Sequence, residues 1–207
     1  MASLFERLND ALTPDFHLER ELARGGMGVV FLARDTNLQR RVAIKVLLPE
    51  MATQTATERF LREARILAAL SHSHIVPVHS VGDADGLNYY VMDYIEGETL
   101  ADRLGQGPLN RGEALKLGRD LLDALEAVHN AGVVHRDIKP ANLFVTKTGV
   151  VKILDFGLAK AFAPENDVSA ATSQSPTLTK GTALGAIMGT ASYMSPEQAR
   201  GKSVDRR

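Results

Sequence analysis

Apolar positions along this chain recur with two periods, and the change from one to the other marks out its elements. Residues 3–12 place Leu4, Phe5, Leu8, Ala11 and Leu12 on one helical face, and Pro14 stops the helix. Such a stripe reads as a helix packed on the domain that follows, in preference to a partner-binding helix. From Phe16 the period falls to two. Phe16–Arg24, Gly28–Asp35 and Arg40–Leu48 read as strands, joined by a Gly-rich turn and by Thr36-Asn37-Leu38-Gln39. Alternation sets Lys45 on the same strand face as Ala43 and Leu47. Thr55 and Glu58 fit a capping box that opens a helix on which Phe60, Glu63, Leu67 and Leu70 share a face. A lysine and a glutamate therefore each point inward from an otherwise apolar face. Buried charges need partners, so a Lys45–Glu63 pair is expected. Tyr89–Tyr94 reads as another strand. Asn110 and Glu113 open a further helix running to about Asn130, with Leu117, Leu121, Leu122, Leu125 and Val128 as its apolar stripe.

Two short apolar runs, Leu143–Val145 and Val150–Leu154, flank Thr148-Gly149 and read as a β-hairpin. A two-residue loop there sets Asn142 opposite Asp155. One amide oxygen and one carboxylate then lie together, the hard oxygen ligands that Mg²⁺ accepts beside phosphates. Asp137, a short step before Asn142, faces the same place as a candidate proton acceptor.

Composition narrows the picture by exclusion. The 207 residues are 44% hydrophobic and 24% charged with a formal net charge of −1, so the basic field expected of a nucleic-acid or lipid surface is missing. With no cysteine there are no disulfides and no thiolate metal sites, which is compatible with a reducing cytoplasm. No apolar run approaches the roughly 20 residues that cross a bilayer, and no signal-peptide core opens the chain. His72 and His74 are close in sequence but fall short of the ligands a zinc site needs. Residues 163–187 are rich in Ala, Ser, Thr, Pro and Gly, and are expected to be mobile.

His135-Arg136-Asp137-Ile138-Lys139-Pro140-Ala141-Asn142, followed by Asp155-Phe156-Gly157, resembles the catalytic and metal loops of protein kinases, and Lys139 resembles the serine/threonine branch. Ala23-Arg24-Gly25-Gly26-Met27-Gly28-Val29-Val30 resembles the family's loop over the ATP phosphates, with Ala23 standing where the family has glycine. Lys45 and Glu63 resemble its strand-lysine and helix-glutamate pair. Leu70–Val76 resembles the turn after that helix, with Ser73 in place of proline. Asp93–Gly97 resembles the hinge between lobes. The resemblance implies that Lys45, held by Glu63, binds the α- and β-phosphates, with Ala23, Gly25 and Gly28 in the loop above them. It implies that Met92 guards a back pocket and that the backbones of Asp93 and Ile95 bond adenine. Leu22, Val30, Ala43 and Phe144 would form the apolar walls. Asp137 would accept from the hydroxyl, Lys139 would steady the γ-phosphate, and Asn142 and Asp155 would hold Mg²⁺. Arg136 would be the phosphate-binding arginine of loop-regulated members, receiving a phosphate on Thr182, with Thr177 and Thr179 as the runners-up. Gly189–Glu197 resembles the end of the activation segment, with Ser195 replacing alanine, and Met188–Gly201 is similar to bacterial members.

The fold so implied is α+β and two-lobed: a helix over 1–15, an antiparallel five-stranded lobe with one main helix over 16–95, and a mostly helical, incomplete lobe over 96–207. Glu197 lacks the arginine it pairs with in the family, so the sequence reads as a fragment. The activity implied is ATP-dependent phosphorylation of Ser and Thr on proteins, controlled by autophosphorylation. The alternatives are a pseudokinase or scaffold and, third, a small-molecule phosphotransferase. The implied cofactors are ATP and Mg²⁺. Protein substrates and a second copy for trans-autophosphorylation are the expected partners, with no nucleic acid and no membrane segment within this chain. The expected location is the cytoplasm, with an anchor beyond residue 207 left open.

Overall fold

The computed structural model describes residues 2–26, 28–154 and 192–200. The chain divides into two compact units, one of residues 1–71 with 76–95 and one of residues 72–75 with 96–207.

The first unit contains α1 (Leu4–Leu12), β1 (Phe16–Arg24), β2 (Gly28–Asp35), β3 (Arg40–Leu47), α2 (Gln54–Ala69), β4 (Val78–Ala84) and β5 (Leu87–Asp93). Its strands form one antiparallel sheet in the order β1-β2-β3-β5-β4. Register fixes the faces. Val30, Lys45 and Tyr90 lie in one cross-strand row and Leu32, Ala43 and Met92 in another, on the face that carries Leu47. The other face carries Val29, Phe31, Ala33, Val42, Ile44, Val46 and Val91, all buried in one cluster with Leu8 and Leu12 of α1.

Helix α1 is fixed onto that face. Ser3 and Glu6 close a capping box, Phe5 meets Phe31 edge-on at 5.8 Å, and Asn9 Oδ1 accepts the Leu18 N–H at 3.0 Å. This is the packed helix expected from the sequence, except that Ala11, at the margin of the stripe, is exposed. Helix α2 packs on β4 and β5 and buries Ala56, Phe60, Glu63, Ala64 and Leu67. Its N-cap is Thr53, whose hydroxyl accepts the Ala56 N–H at 3.2 Å, and not Thr55. Thr53 holds the extended backbone a cap needs, which sets Thr55 inside the first turn. Glu58 then sits one turn after Gln54 and takes its side-chain amide at 3.1 Å instead of closing a box.

The second unit contains β6 (Gly97–Thr99), α3 (Leu100–Gly105), α4 (Arg111–Asn130), β7 (Leu143–Thr146), β8 (Val151–Ile153) and the short α5 (Pro196–Ala199), with sheet order β6-β7-β8. Residues 72–75 join it through main-chain bonds. Ile75 bridges Ile153, the His74 carbonyl accepts the Ile153 N–H at 2.9 Å, and His74 Nδ1–H donates to the Val151 carbonyl at 2.8 Å. Asn110 and Glu113 form the expected capping box of α4. The stripe behind it is narrower than expected. Ala124 and Val128 are buried, but Leu122 is 69% exposed and Leu115 63%. Leu122, on the opposite side of α4 from Ala124 and Val128, therefore leaves the predicted core set.

The hairpin register also differs from expectation. Leu143 faces Ile153 and Val145 faces Val151, while the Thr146 N–H donates to the Val150 carbonyl at 2.9 Å. The loop has one residue more than a two-residue turn, because Gly149 at φ 74° forms the left-handed end of a three-residue connection. Asn142 consequently lies opposite Leu154, whose N–H donates to the Asn142 carbonyl at 2.8 Å, and not opposite Asp155. Asp155, the segment 163–187 with Thr177, Thr179 and Thr182, and most of the expected activation segment lie outside the described residues. Among the described residues, no helix is long and apolar enough to cross a membrane.

Candidate active site

In the first unit the chemistry centres on Lys45. Strand β3 fixes its Cα by pairing on both sides, and its Nζ lies 3.2 Å from Glu63 Oε1 of α2, with the two side chains only 11% and 9% exposed. The same Oε1 accepts the Tyr90 hydroxyl at 3.2 Å. A desolvated lysine thus meets a carboxylate held from two directions. The Gly-rich turn is closed by the Gly25 N–H donating to the Gly28 carbonyl at 2.8 Å. A Cβ on Gly28 would come within 2.6 Å of the Val46 carbonyl oxygen, so close approach of β3 alone requires glycine there. Leu22 and Val30 are half-buried, Ala43 is buried and Ala23 is exposed. At the end of β5, the Asp93 N–H donates to the Pro77 carbonyl at 3.1 Å and its carboxylate meets His79 Nε2 at 2.7 Å. Ile95 follows, half-buried and outside the strand.

In the second unit a loop after α4 carries the other predicted residues. His135 is almost fully buried, and its Nε2 lies 3.2 Å from the Leu154 carbonyl, which can only accept. That contact places the ring proton on Nε2 and leaves Nδ1 to accept the Asp137 N–H at 3.3 Å. Between them Arg136 takes φ 62°, a left-handed conformation costing a non-glycine residue about 1–3 kcal/mol. Its carbonyl accepts the Gln198 side-chain amide at 2.7 Å, and α5 presents that amide because Ser195 and Gln198 close a capping box. Ser195, the departure from the family's alanine, is the N-cap of α5.

The strained step at Arg136 turns Asp137 toward Lys139 and Asn142. Asp137 Oδ2 lies 3.0 Å from Lys139 Nζ and 2.9 Å from Asn142 Nδ2, which also donates to the Asp137 carbonyl at 2.8 Å. Both amide protons of Asn142 are therefore committed. Its side-chain oxygen accepts no hydrogen bond among the described residues. Phe144 is half-buried on β7, between Thr99 and Lys152 in the sheet register. Asp137 and Lys139 keep 17% and 22% of their side chains exposed, enough to meet a ligand.

Away from these residues, His72 Nε2 lies 3.3 Å from Asp123 and His74 Nε2 lies 3.9 Å from Asp120 and Asp123. Among the described residues, no group of three acidic or histidine side chains is arranged to hold a metal. Burial would raise the Asp120 carboxyl, but the Lys116 hydrogen bond, the charges of His74 and Lys116, and a backbone bond from Val151 bring it below its ordinary value.

The structure thus brings Lys45 to Glu63 in one unit, and Asp137 to Lys139 and Asn142 in the other. Two participants were missed from sequence. Tyr90 is visible only once register sets it beside Lys45, and Gln198 lies 62 residues from the carbonyl it holds.

The protein kinase domain profile matches residues 16–207. Serine/threonine-protein kinase pkn2 of Myxococcus xanthus is 40% identical over 204 residues, covering 96% of this chain and 23% of the relative. Serine/threonine-protein kinases PknB of Mycobacterium leprae and of Mycolicibacterium smegmatis are each 42% identical over 202 residues, covering 95% of this chain and 30% of the relative. The chain accordingly spans between about a quarter and a third of the length of the curated relatives it matches. Its five-stranded antiparallel sheet with a main helix, its α+β composition and this match together establish that the chain belongs to the protein kinase family.

Proposed function

We propose that the chain is the catalytic region of a serine/threonine protein kinase that transfers the γ-phosphoryl group of ATP to Ser and Thr hydroxyls of proteins. The observation that carries this reading is the clamp on Asp137, whose Oδ2 is held at 3.0 Å by Lys139 and 2.9 Å by Asn142. A carboxylate so oriented, and partly open to solvent, can align a hydroxyl and accept its proton. Lys139 beside it would steady the charge on the γ-phosphate. In the first unit, Lys45 would hold the α- and β-phosphates with Glu63 fixing its direction, and the backbone from Ala23 through Gly25 to Gly28 would lie against the phosphates. Leu22, Val30 and Ala43 would line the adenine, and the backbones of Asp93 and Ile95 would bond its edge.

The Asn142 side-chain oxygen, a hard donor freed for a cation because the amide nitrogen is committed to Asp137, fits Mg²⁺. Asp155 would be its companion ligand. Bound Mg²⁺ supplies neutralisation of charge between phosphate oxygens. Regulation would follow from phosphate on Thr182, or on Thr177 or Thr179, docking on Arg136 after transfer between two copies of the chain.

The test is incubation of the full-length protein with Mg²⁺ and ATP labelled in its γ-phosphate, beside a generic basic protein and an aminoglycoside. Label on Ser or Thr of the protein substrate is expected. Label confined to the aminoglycoside, or on neither, would overturn the reading.

A further inference from the structure

Tyr90 is 1% exposed and stands directly across from Lys45 in the β3–β5 ladder. Its hydroxyl donates to Glu63 Oε1 at 3.2 Å, the oxygen that also receives Lys45 Nζ at 3.2 Å. The ring lies 5.6 Å from the same Nζ and packs on Phe60 of α2, with ring centroids 5.1 Å apart. Tyr90 therefore touches both members of the ion pair and the helix that carries one of them.

Lys45 and Tyr90 are fixed to each other by main-chain pairing, whereas Glu63 arrives on a separate helix. Something must hold its carboxylate against the sheet. The lysine alone is a poor clamp, because an ammonium is a point charge on a flexible stem that is also drawn toward phosphate. A phenol hydroxyl is neutral at pH 7, directional, and carried here on a ring with no room to move. We infer that Tyr90 is a positioning residue, which holds Glu63 through its hydroxyl so that Lys45 meets the nucleotide phosphates in one geometry. This rests on the kinase reading above. Phenylalanine at this position would keep the packing on Phe60 and the ring face toward Lys45, and would lose the tie alone.

The experiment uses the full-length protein with Tyr90→Phe, Glu63→Gln and the double variant. For Tyr90→Phe, kcat/KM for ATP should fall about five- to thirtyfold at a temperature well below melting. In the Glu63→Gln background the same change should cost less than twofold, because the charged acceptor is gone. Wild-type kinetics for Tyr90→Phe, or an equal loss in both backgrounds, would overturn the inference and leave Tyr90 a packing residue. A second readout does not need activity. Amide hydrogen exchange across residues 54–69 should be at least fivefold faster in Tyr90→Phe, with exchange in β2 and β3 unchanged. If the wild type transfers no phosphate, the kinase reading fails by itself, and unchanged exchange in α2 would then overturn the role of Tyr90 separately.

Discussion

Two lysine–carboxylate pairs of nearly equal length, Lys45–Glu63 at 3.2 Å and Asp137–Lys139 at 3.0 Å, are tied into the fold to different degrees. The first spans 18 residues of sequence, joins a strand to a helix and is buried with Tyr90 over it. The second lies within one loop and stays partly open. Breaking a buried pair by removing one partner leaves an uncompensated charge and costs about 3–5 kcal/mol, and the cost falls toward the roughly 0–1 kcal/mol of exposed pairs as solvent reaches the charges. Hence loss of one partner should cost the fold more at the first pair, which ties a strand to a helix, than at the second, which lies within one loop.

The largest effect expected from this contrast is kinetic. Asp137→Asn should lower the rate of phosphoryl transfer by about 10²–10⁴-fold, the range for a lost acid–base group, while ATP binding stays close to wild type. Single-turnover transfer and equilibrium ATP binding check it together. Activity within tenfold of wild type would remove Asp137 from the mechanism.

The next effect concerns stability in the first unit. Leu8 of α1 is fully buried in the cluster that backs β3, although it belongs to the first helix of the chain. Leu8→Ala should destabilise by about 2–5 kcal/mol in urea unfolding. A cost below about 1 kcal/mol would show α1 to be loosely attached and the sheet independent of it.

How far these roles were legible in the sequence follows from the range of the interactions involved. The first three strands and the start of α4 were read to within a residue, because alternation, glycine turns and a capping box act over three or four positions. Lys45 and Glu63 were paired correctly because each sits on an apolar face of its own element. The hairpin register was misread because Thr148-Gly149 suits a two-residue loop as well as the last two positions of a three-residue one. Only the φ of Gly149 and the Thr146–Val150 bond decide between them. Tyr90 and Gln198 were missed for a related reason. Tyr90 sits beside a second tyrosine in a plain strand, and Gln198 in a short capped turn, and neither signals a partner until tertiary pairing supplies one.

A smaller effect concerns the charges along α4 of the second unit. Because the Asp120 carboxyl is held below its ordinary value, it binds protons less readily folded than unfolded. Its contribution is complete above the unfolded value, roughly pH 4, and disappears as pH falls through the lower folded value. Asp120→Asn should therefore lose about 0.3–0.5 kcal/mol at pH 7, as expected for a helical i,i+4 pair, and show a flatter fall of stability below pH 4. Urea unfolding from pH 3 to pH 7 checks it, and an unchanged acid limb would contradict the assignment.

The smallest effect lies on α4. Leu122→Gln should change stability by less than about 0.5 kcal/mol, whereas Val128→Ala, one turn and a half further along and fully buried, should cost about 1–3 kcal/mol. Equal costs at the two positions would mean that the exposed end of α4 is covered.

The contrast between the two pairs is tested most directly by urea unfolding of Lys45→Met and Asp137→Asn side by side. Lys45→Met should lose about 3–5 kcal/mol, since Glu63 is left buried without its counter-charge, and Asp137→Asn, which keeps an oxygen for Lys139 and Asn142, should lose clearly less. A larger loss for Asp137→Asn than for Lys45→Met would contradict the account that the fold depends on the buried Lys45–Glu63 pair more than on the pair within the loop.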